Sequence, residues 1–312
     1  MSPAGKKLQP ESDPAPTDDD YRLIDFGRGR RLERFGEVWI DRPSPPAELT
    51  AEHSGDWPND RWCYHRQTAQ QGFWSPGPHR RAVGDPTVST GSPLVDAGWS
   101  TRIGSLLFEL KLTPSGQVGV FPEQRPSWRW IAERLAEPAD HRLRVLNLFA
   151  YTGGSTLAAA AAGALVTHVD AAEPAVRWAR QNALANGLDQ HPIRWIVDDA
   201  RKFVAREIRR GQRYDGLILD PPSYGHGPKG GDWRFERDLP PLLELCSELL
   251  VARPRLILLT CHPSHASPAS LRHELSDSLA RWPIEWSAGE LTLTDRGGRQ
   301  LPSGLYVRGG FP

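Results

Sequence analysis

The chain has 312 residues, of which 38% are hydrophobic, and its 38 Lys and Arg are balanced by 38 Asp and Glu. This balance excludes a uniformly basic nucleic-acid coat protein and a polyanionic tail, so any contact with phosphates has to come from a local patch. The length allows a sizeable core and suggests about two domains.

The basic residues are unevenly divided between the two types. Five of the 38 are Lys and the remaining 33 are Arg, and the chain also contains 12 Trp. Guanidinium and indole groups suit planar recognition by stacking and forked hydrogen bonds. A biased genome base composition produces the same pattern, so both interpretations stay open.

The cysteines and the hydrophobic runs indicate the compartment. Cys63, Cys246 and Cys261 are widely spaced and form no CxxC pair, which argues against a disulfide framework and a structural metal site. The sequence has no apolar run of membrane-spanning length and no hydrophobic signal core in its first 20 residues. It therefore predicts a cytoplasmic protein with no bound metal and no membrane association.

The N-terminal part divides into a tail and a small domain. Residues 1–20 are polar and Pro-rich, which predicts a disordered tail. Residues 21–137 are expected to form a β-rich domain that recognises the substrate, with strands at 21–26, 34–40 and 106–112. The stretch 41–100 shows little periodicity, and its residues Trp57, Trp62, Trp74 and Trp99 are expected to pack an irregular module.

From residue 138 to 312 strands and helices alternate. The predicted strands lie at 144–149, 165–169, 194–197, 214–219 and 255–259, and the predicted helices at 155–163, 174–186, 201–210, 239–251 and 268–279. Segments 286–293 and 304–308 are expected to pair as a closing β-hairpin. Short connections between alternating strands and helices predict an α/β domain with a parallel sheet covered on both faces.

Polar residues follow four successive strands of this sheet. The first strand runs into a turn that contains Gly153 and Gly154, where the backbone can turn tightly and approach a ligand. The later strands end at Asp170, at Asp199 and at Asp220, the last followed by Pro-Pro-Ser-Tyr. One such Asp is usually a helix cap, but several on the same edge of a parallel sheet indicate a binding site. The pattern GxGxxG is absent, which counts against a dinucleotide site.

These segments resemble a known family. NLFAYTGGSTLAAAAAGA, VTHVDAAEPAVRWARQNALANG, VDDARKF and LDPPSYGHGPKG are similar to motifs I to IV of class I S-adenosylmethionine-dependent methyltransferases. Within that superfamily the chain resembles the bacterial 23S ribosomal RNA large-subunit methyltransferase I/K-like group over residues 105–310. The resemblance implies a Rossmann-like seven-stranded methyltransferase sheet and S-adenosylmethionine as cofactor.

The resemblance also implies roles for individual residues. The cofactor-binding residues are Glu123, Gln124, Ala150, Tyr151, Thr152, Gly153, Gly154, Asp170, Ala171, Asp199, Ala200 and Asp220. Among them, the turn 150–154 would wrap the methionine part, Asp170 would bind the ribose, and Asp199 with Ala200 would meet the adenine. Asp220 would lie near the methionine ammonium and the reacting methyl group, and Glu123 with Gln124 would close the site. Relatives carry an N-terminal RNA-binding PUA module, which residues 1–100 do not resemble.

The loop 223–238 follows the Asp-Pro-Pro segment and begins with an aromatic residue. A base that is flipped out of its stack has to be held against an aromatic or apolar face, and Tyr224 is placed for that role. The rest of the loop is Gly-rich and basic, which fits either a mobile lid that contacts phosphates or an ordinary solvated loop.

The fifth strand ends in a cysteine with two possible roles. Methylation of carbon 5 of cytosine needs a thiolate that adds to carbon 6, so Cys261 is a candidate nucleophile, with His262 helping to ionise it. Alternatively Cys261 only packs, as is expected of Cys63 and Cys246, and the methyl group passes directly to a base nitrogen.

The sequence thus predicts a methyltransferase, monomeric or homodimeric, that modifies a base in ribosomal or other structured RNA. Its catalytic residues are expected to be Asp220, Cys261 and Tyr224. Three alternatives remain: a small-molecule methyltransferase, a nicotinamide-dependent oxidoreductase on a similar sheet, and a non-catalytic RNA-binding or ribosome-assembly protein that kept the fold.

Overall fold

The computed structural model of the chain describes residues 19–51, 57–68, 71–77, 98–226, 232–262 and 266–311. The predicted disordered tail, 1–20, lies outside the described residues apart from Asp19 and Asp20. The chain divides into two compact units. The N-terminal unit contains Ser12–Arg125 and Thr292–Pro302, and the C-terminal unit contains Pro126–Leu291 and Ser303–Pro312.

A five-stranded sheet forms much of the described part of the N-terminal unit. In sheet order its strands are β1 (Tyr21–Gly27), β2 (Arg30–Phe35), β3 (Val38–Pro43), β4 (Trp62–Arg66) and β5 (Gly72–Pro76). Neighbouring strands are antiparallel except β3 and β4, which are parallel. A separate hairpin consists of β6 (Trp99–Ile103) and β7 (Leu106–Leu110). The β-rich character predicted for this region is confirmed.

Two predictions within this unit are wrong. A single strand at 34–40 does not form, because Gly36, with a φ of 61°, reverses the chain between β2 and β3. The stretch 41–100 is not wholly irregular, since Trp62 and Trp74 lie in the paired strands β4 and β5. Both strands are too short to show a clear alternation in the sequence. Residues 78–97 of that stretch lie outside the described residues.

A seven-stranded sheet lies at the centre of the C-terminal unit. Its strands are β8 (Arg144–Leu148), β9 (Leu165–Asp170), β10 (Ile193–Val197), β11 (Gly216–Leu219), β14 (Leu256–Cys261), β15 (Glu285–Thr294) and β16 (Gln300–Gly310), in the order β10-β9-β8-β11-β14-β16-β15. The first five are parallel, and β16 is antiparallel to β14. The predicted α/β fold with a closing hairpin is confirmed.

Helices connect these strands, and their bounds lie close to the predicted ones. They are α1 (Arg125–Ala136), α2 (Gly154–Ala161), α3 (Glu173–Ala185), α4 (Ala200–Arg209), α5 (Phe235–Leu249) and α6 (Pro268–Ser278). Helix α1 was not predicted, nor was a short hairpin of β12 (Tyr224–His226) and β13 (Asp232–Arg234). Helix α5 begins before its predicted start at 239, because Asp238 accepts a hydrogen bond from the backbone N–H of Arg234 at 2.7 Å and stabilises an earlier first turn.

The central strands β11 and β14 give the carboxyl edge of the sheet a fixed position. All residues of β11 and β14 are buried, as expected of parallel strands covered on both faces. Each buried Leu or Ile side chain contributes roughly 1.5–3 kcal/mol, so these strands form a rigid base for the loops that leave them. In the described part of the chain, no helix is both long enough and apolar enough to cross a membrane.

Candidate active site at the carboxyl edge of the parallel sheet

The register of the parallel strands brings the predicted site residues of the C-terminal unit to one edge. Leu148 at the end of β8 lies beside Leu219 of β11, and Val197 of β10 lies beside Asp170 of β9. The segments that continue from these strand ends therefore lie next to one another. They are the turn 149–154, the segment 198–200 and the segment 220–224.

The turn after β8 has an unusual backbone. Phe149 and Tyr151 have positive φ angles of 56° and 48°, and Gly153 has a φ of 94°. A residue with a side chain at positive φ costs of order 1–2 kcal/mol, and such residues concentrate at ligand sites. Positive φ angles at every second residue keep this turn tight.

The two glycines of this turn are required for different reasons, Gly153 by its positive φ and Gly154 by packing. A Cβ atom on Gly153 would lie 3.1 Å from the Cβ of Ala179 in α3. On Gly154 it would lie 2.5 Å from the indole of Trp128 in α1. A side chain at Gly154 would therefore displace the indole of Trp128, whereas one at Gly153 would need only a small shift of Ala179.

Asp170 holds the same turn from the next strand. Its Oδ2 accepts a hydrogen bond from the backbone N–H of Tyr151 and its Oδ1 one from that of Ala172, both at 2.8 Å. Burial raises the pKa of Asp170. The backbone N–H groups of Tyr151, Ala171 and Ala172 lower it, but their effect is smaller than that of burial. A carboxylate has about four acceptor positions, so Asp170 can also accept hydrogen bonds from a pair of ligand hydroxyls.

A buried chain of hydrogen bonds connects β8, α2 and β9, and the sequence did not predict it. The side-chain amide of Asn147 donates to the hydroxyl of Thr156 at 2.9 Å, and that hydroxyl lies 2.9 Å from Nδ1 of His168. Because the hydroxyl oxygen accepts from Asn147, its hydrogen is free to bond to Nδ1. Burial lowers the pKa of His168 to about 3, so the ring is neutral. The available signal was a polar residue inside an apolar strand, at Asn147 and at His168.

Asp199 has the first of the two roles considered for it, that of a helix cap. It is the N-cap of α4, where Oδ1 accepts from the backbone N–H of Lys202 at 3.1 Å. Its Oδ2 lies 3.6 Å from the guanidinium of Arg201. The preceding Asp198 forms an ion pair with Arg206 at 2.7 Å. Asp199 therefore keeps acceptor positions for a ligand, while Asp198 is held against the helix. Ala200 is buried at the start of α4.

Asp220 lies between the ends of three strands. Its backbone N–H donates to the carbonyl of Leu148 at 3.4 Å, and its Oδ1 accepts from the hydroxyl of Thr260 at 2.7 Å. Thr260, near the end of β14, was not predicted as a site residue. This hydrogen bond fixes the orientation of the carboxylate at the sheet edge.

Tyr224 is the exposed aromatic residue of this edge. Its side chain is 48% exposed, and it begins the hairpin of β12 and β13. The preceding Ser223 anchors the hairpin, since its hydroxyl donates to the carbonyl of His262 at 2.7 Å and its carbonyl accepts from the N–H of Phe235 at 3.1 Å. Residues 227–231, which include Lys229 of the predicted basic loop, lie outside the described residues.

Cys261 has the surroundings of a core residue. Its side chain is 1% exposed and belongs to the hydrophobic cluster that contains Leu271 and Leu275 of α6. Burial, together with the nearby carboxylates of Asp220 and Glu274, raises the pKa of the thiol well above its usual range. Among the described residues no group of His, Cys, Asp and Glu side chains is arranged to bind a metal ion.

Glu123 and Gln124 belong to the N-terminal unit. They lie in the 3₁₀ turn Pro122–Gln124, directly before α1, and both are buried. Their predicted part in closing the cofactor site stays a prediction.

The chain matches known proteins over most of its length. The family model of S-adenosylmethionine-dependent methyltransferases matches residues 79–278. A solved S-adenosylmethionine-dependent methyltransferase from Agrobacterium tumefaciens is 34% identical, with a TM-score of 0.82 over 99% of this chain and 97% of the other.

Curated relatives match a shorter part. The ribosomal RNA large subunit methyltransferase K/L of Magnetococcus marinus is 37% identical over 39% of this chain, and the ribosomal RNA large subunit methyltransferase I of Klebsiella pneumoniae is 34% identical over 35%. The chain aligns with 16% and 26% of the length of these two relatives. The resemblance drawn from the four motifs is confirmed, and the chain belongs to the S-adenosylmethionine-dependent methyltransferase family.

Proposed function

We propose that this protein transfers the methyl group of S-adenosylmethionine directly to a nitrogen of a base in structured RNA. The observation that carries the proposal is the arrangement at one sheet edge. The tight turn 149–154, the carboxylates of Asp170 and Asp220, and the exposed ring of Tyr224 all follow the ends of neighbouring parallel strands.

The residues of this edge fit the cofactor. Asp170 has acceptor positions for the two ribose hydroxyls, Asp199 can accept from the adenine amino group, and Asp220 offers a negative charge to the methionine ammonium. When bound, S-adenosylmethionine supplies an electrophilic methyl group on a positively charged sulfur. The residues of the chain then act by placing the target atom next to that methyl group, and such proximity supplies most of the rate in a direct transfer.

Tyr224, whose hairpin is anchored by Ser223, is suited to bind the target base of the RNA. An exposed ring directly after the Asp-Pro-Pro segment can stack against a base, and stacking contributes about 1–3 kcal/mol per base. The hydrogen bonds of Ser223 hold this ring near the carboxyl edge, where Asp220 lies. The names of the curated relatives, which are ribosomal RNA methyltransferases, support RNA as the substrate.

A patch in the N-terminal unit supports a role for that unit in RNA recognition. Arg22 of β1 and Arg34 of β2 are directly opposite, and Arg34 is opposite Trp39 of β3. The guanidinium of Arg296 lies 5.9 Å from the Trp39 ring, and the buried Nε of Arg34 has no hydrogen-bond partner among the described residues. Like charges directly opposite in a sheet destabilise it, so this basic and aromatic patch favours an anionic, stacking partner such as RNA.

The cofactor and the RNA are tested separately. We expect isothermal titration to show that S-adenosylhomocysteine binds. We also expect radiolabelled methyl groups from S-adenosylmethionine to appear in total RNA from a strain that lacks the protein. No binding at high micromolar concentration would refute the cofactor site. Binding without transfer to RNA would favour a small-molecule substrate or a non-catalytic role.

The patch is tested with a charge-reversed pair. R22E/R34E is expected to weaken RNA binding about tenfold and to lower the salt dependence, since each lost phosphate contact reduces the slope by about one. Cofactor affinity should not change. The control is R209E/R213E, which changes the net charge by the same amount as R22E/R34E. Arg209 ends α4 and Arg213 follows it. Equal losses of RNA affinity in both variants would contradict a specific patch.

The buried thiol supports direct transfer over covalent catalysis. We expect Cys261→Ala to retain methyl transfer within about threefold of the wild type, because loss of a covalent nucleophile would instead abolish turnover. Cys246→Ala is a matched control, since Cys246 is also fully buried in the same cluster. If Cys261→Ala alone were inactive while both variants bound the cofactor, transfer to carbon 5 of cytosine would replace the proposal.

A further inference from the structure

Trp233 joins two loops of the candidate site. It lies in β13 and is 6% exposed. Its indole N–H donates to the carbonyl of Pro222 at 2.7 Å, within the Asp-Pro-Pro segment. Its ring centroid lies 4.8 Å from that of Phe149, with the planes tilted by 57°. Phe149 begins the turn after β8, so one side chain contacts both the proposed methionine-binding turn and the segment that precedes Tyr224.

The first turn of α4, which follows β10, contacts the same side chain. The guanidinium of Arg201 lies 5.9 Å from the Trp233 ring centroid. Arg201 in turn lies 3.6 Å from Asp199 and 3.2 Å from Asp238. The turn after β8, the start of α4 and the segment after β11 are thus linked through one indole and its neighbours.

The hairpin that contains Tyr224 depends on these contacts. Strands β12 and β13 have three residues each, and an isolated hairpin of this size is at best marginally stable in water. The tilted arrangement of Trp233 and Phe149 is a favourable geometry for aromatic pairs, and a buried indole N–H is costly to leave without an acceptor. Beside the hydrogen bonds of Ser223, the contacts of Trp233 with Phe149 and Pro222 therefore help to set the position of the hairpin.

We propose that Trp233 is a positioning residue that couples the Tyr224 hairpin to the cofactor turn, so that cofactor binding orders the element that receives the base. The inference rests on the proposed function, because it assumes that the turn 149–154 binds S-adenosylmethionine. A ligand that holds Phe149 in one position reduces the motion of the Trp233 ring, and the hydrogen bond to Pro222 passes this restraint to Tyr224.

Hydrogen exchange of the full chain with and without S-adenosylhomocysteine tests the coupling. In the wild type we expect the ligand to slow exchange of the backbone amides of the turn 149–154 and, by about fivefold, of those in β12 and β13. Trp233→Phe keeps a ring against Phe149 but loses the hydrogen bond to Pro222. In this variant the turn should still be protected, while the protection of the hairpin should fall to that of the free protein.

Trp282→Phe is the matched control, because the indole of Trp282 is also buried in the core and donates to the carbonyl of Val251 at 2.9 Å. It should leave both effects of the ligand intact. Full hairpin protection in Trp233→Phe would overturn the inference, and so would protection of the turn alone in the wild type. If the ligand protected neither segment in the wild type, the proposed function would fail together with the inference.

Discussion

Replacing Asp220 by Asn is expected to lower kcat/KM for methyl transfer by about 100-fold, because hydrogen bonds to a charged group contribute about 1.5–3 kcal/mol. The amide oxygen of Asn can still accept from the hydroxyl of Thr260, so the geometry at the end of β11 is retained and only the charge is lost. The measurement is a single-turnover assay with radiolabelled S-adenosylmethionine and RNA, at cofactor concentrations above and below saturation.

Thr260→Val tests the orientation of the Asp220 carboxylate separately from its charge. This variant removes the hydrogen bond at Oδ1 of Asp220 but leaves the carboxylate in place. We expect a loss of about tenfold, because a hydrogen bond to a charged carboxylate contributes at least about 1.5 kcal/mol. A wild-type rate in Asp220→Asn would place Asp220 outside the reaction, whatever the result for Thr260.

Replacing Asp170 by Asn is expected to raise the Kd of S-adenosylhomocysteine by about 100-fold. Both carboxylate oxygens accept backbone hydrogen bonds, from Tyr151 and from Ala172, and Asn offers only one acceptor oxygen. The partly buried N–H of Tyr151 or the exposed N–H of Ala172 then loses its partner, which loosens the turn in addition to weakening the contact with the ribose. Isothermal titration measures the change.

The same residue predicts a pH dependence. Because burial raises the pKa of Asp170, its carboxylate becomes protonated at a higher pH than an ordinary Asp. Cofactor affinity should therefore have its highest value above that pKa and should fall as the pH decreases through it. The decrease should be absent from Asp170→Asn. Glu173→Gln removes a carboxylate that is 69% exposed and paired with Arg177, and it should leave both the affinity and its pH dependence unchanged. An unaltered pH profile in Asp170→Asn would exclude Asp170 as the titrating group.

Regular periodicity made the C-terminal sheet predictable. The strands β8 to β11 and β14 are short apolar runs between helices with 3.6-residue spacing, and their bounds could be predicted closely. The four strand ends with Gly or Asp could be found for the same reason, since parallel strands place their carboxyl ends at one edge.

Local patterns failed where an element depends on partners distant in sequence. Strands β4 and β5 contain Trp62 and Trp74, whose environment is created by pairing across the N-terminal sheet. Helix α1 packs Trp128 against Gly154, and the hairpin of β12 and β13 depends on Phe149. Propensity and alternation do not encode such contacts, because they involve residues that are far apart along the chain.

The sequence by itself determined the family, the α/β sheet and the residues at its carboxyl edge, because these follow from local periodicity and from motifs of adjacent residues. Only the tertiary structure decided how those residues are held. Thr260 orients Asp220, hydrogen bonds link Asn147 to His168 through Thr156, Trp233 contacts both Phe149 and Pro222, and the thiol of Cys261 is buried in the core. Each of these depends on burial and on the direction of a side chain, and packing between distant segments sets both.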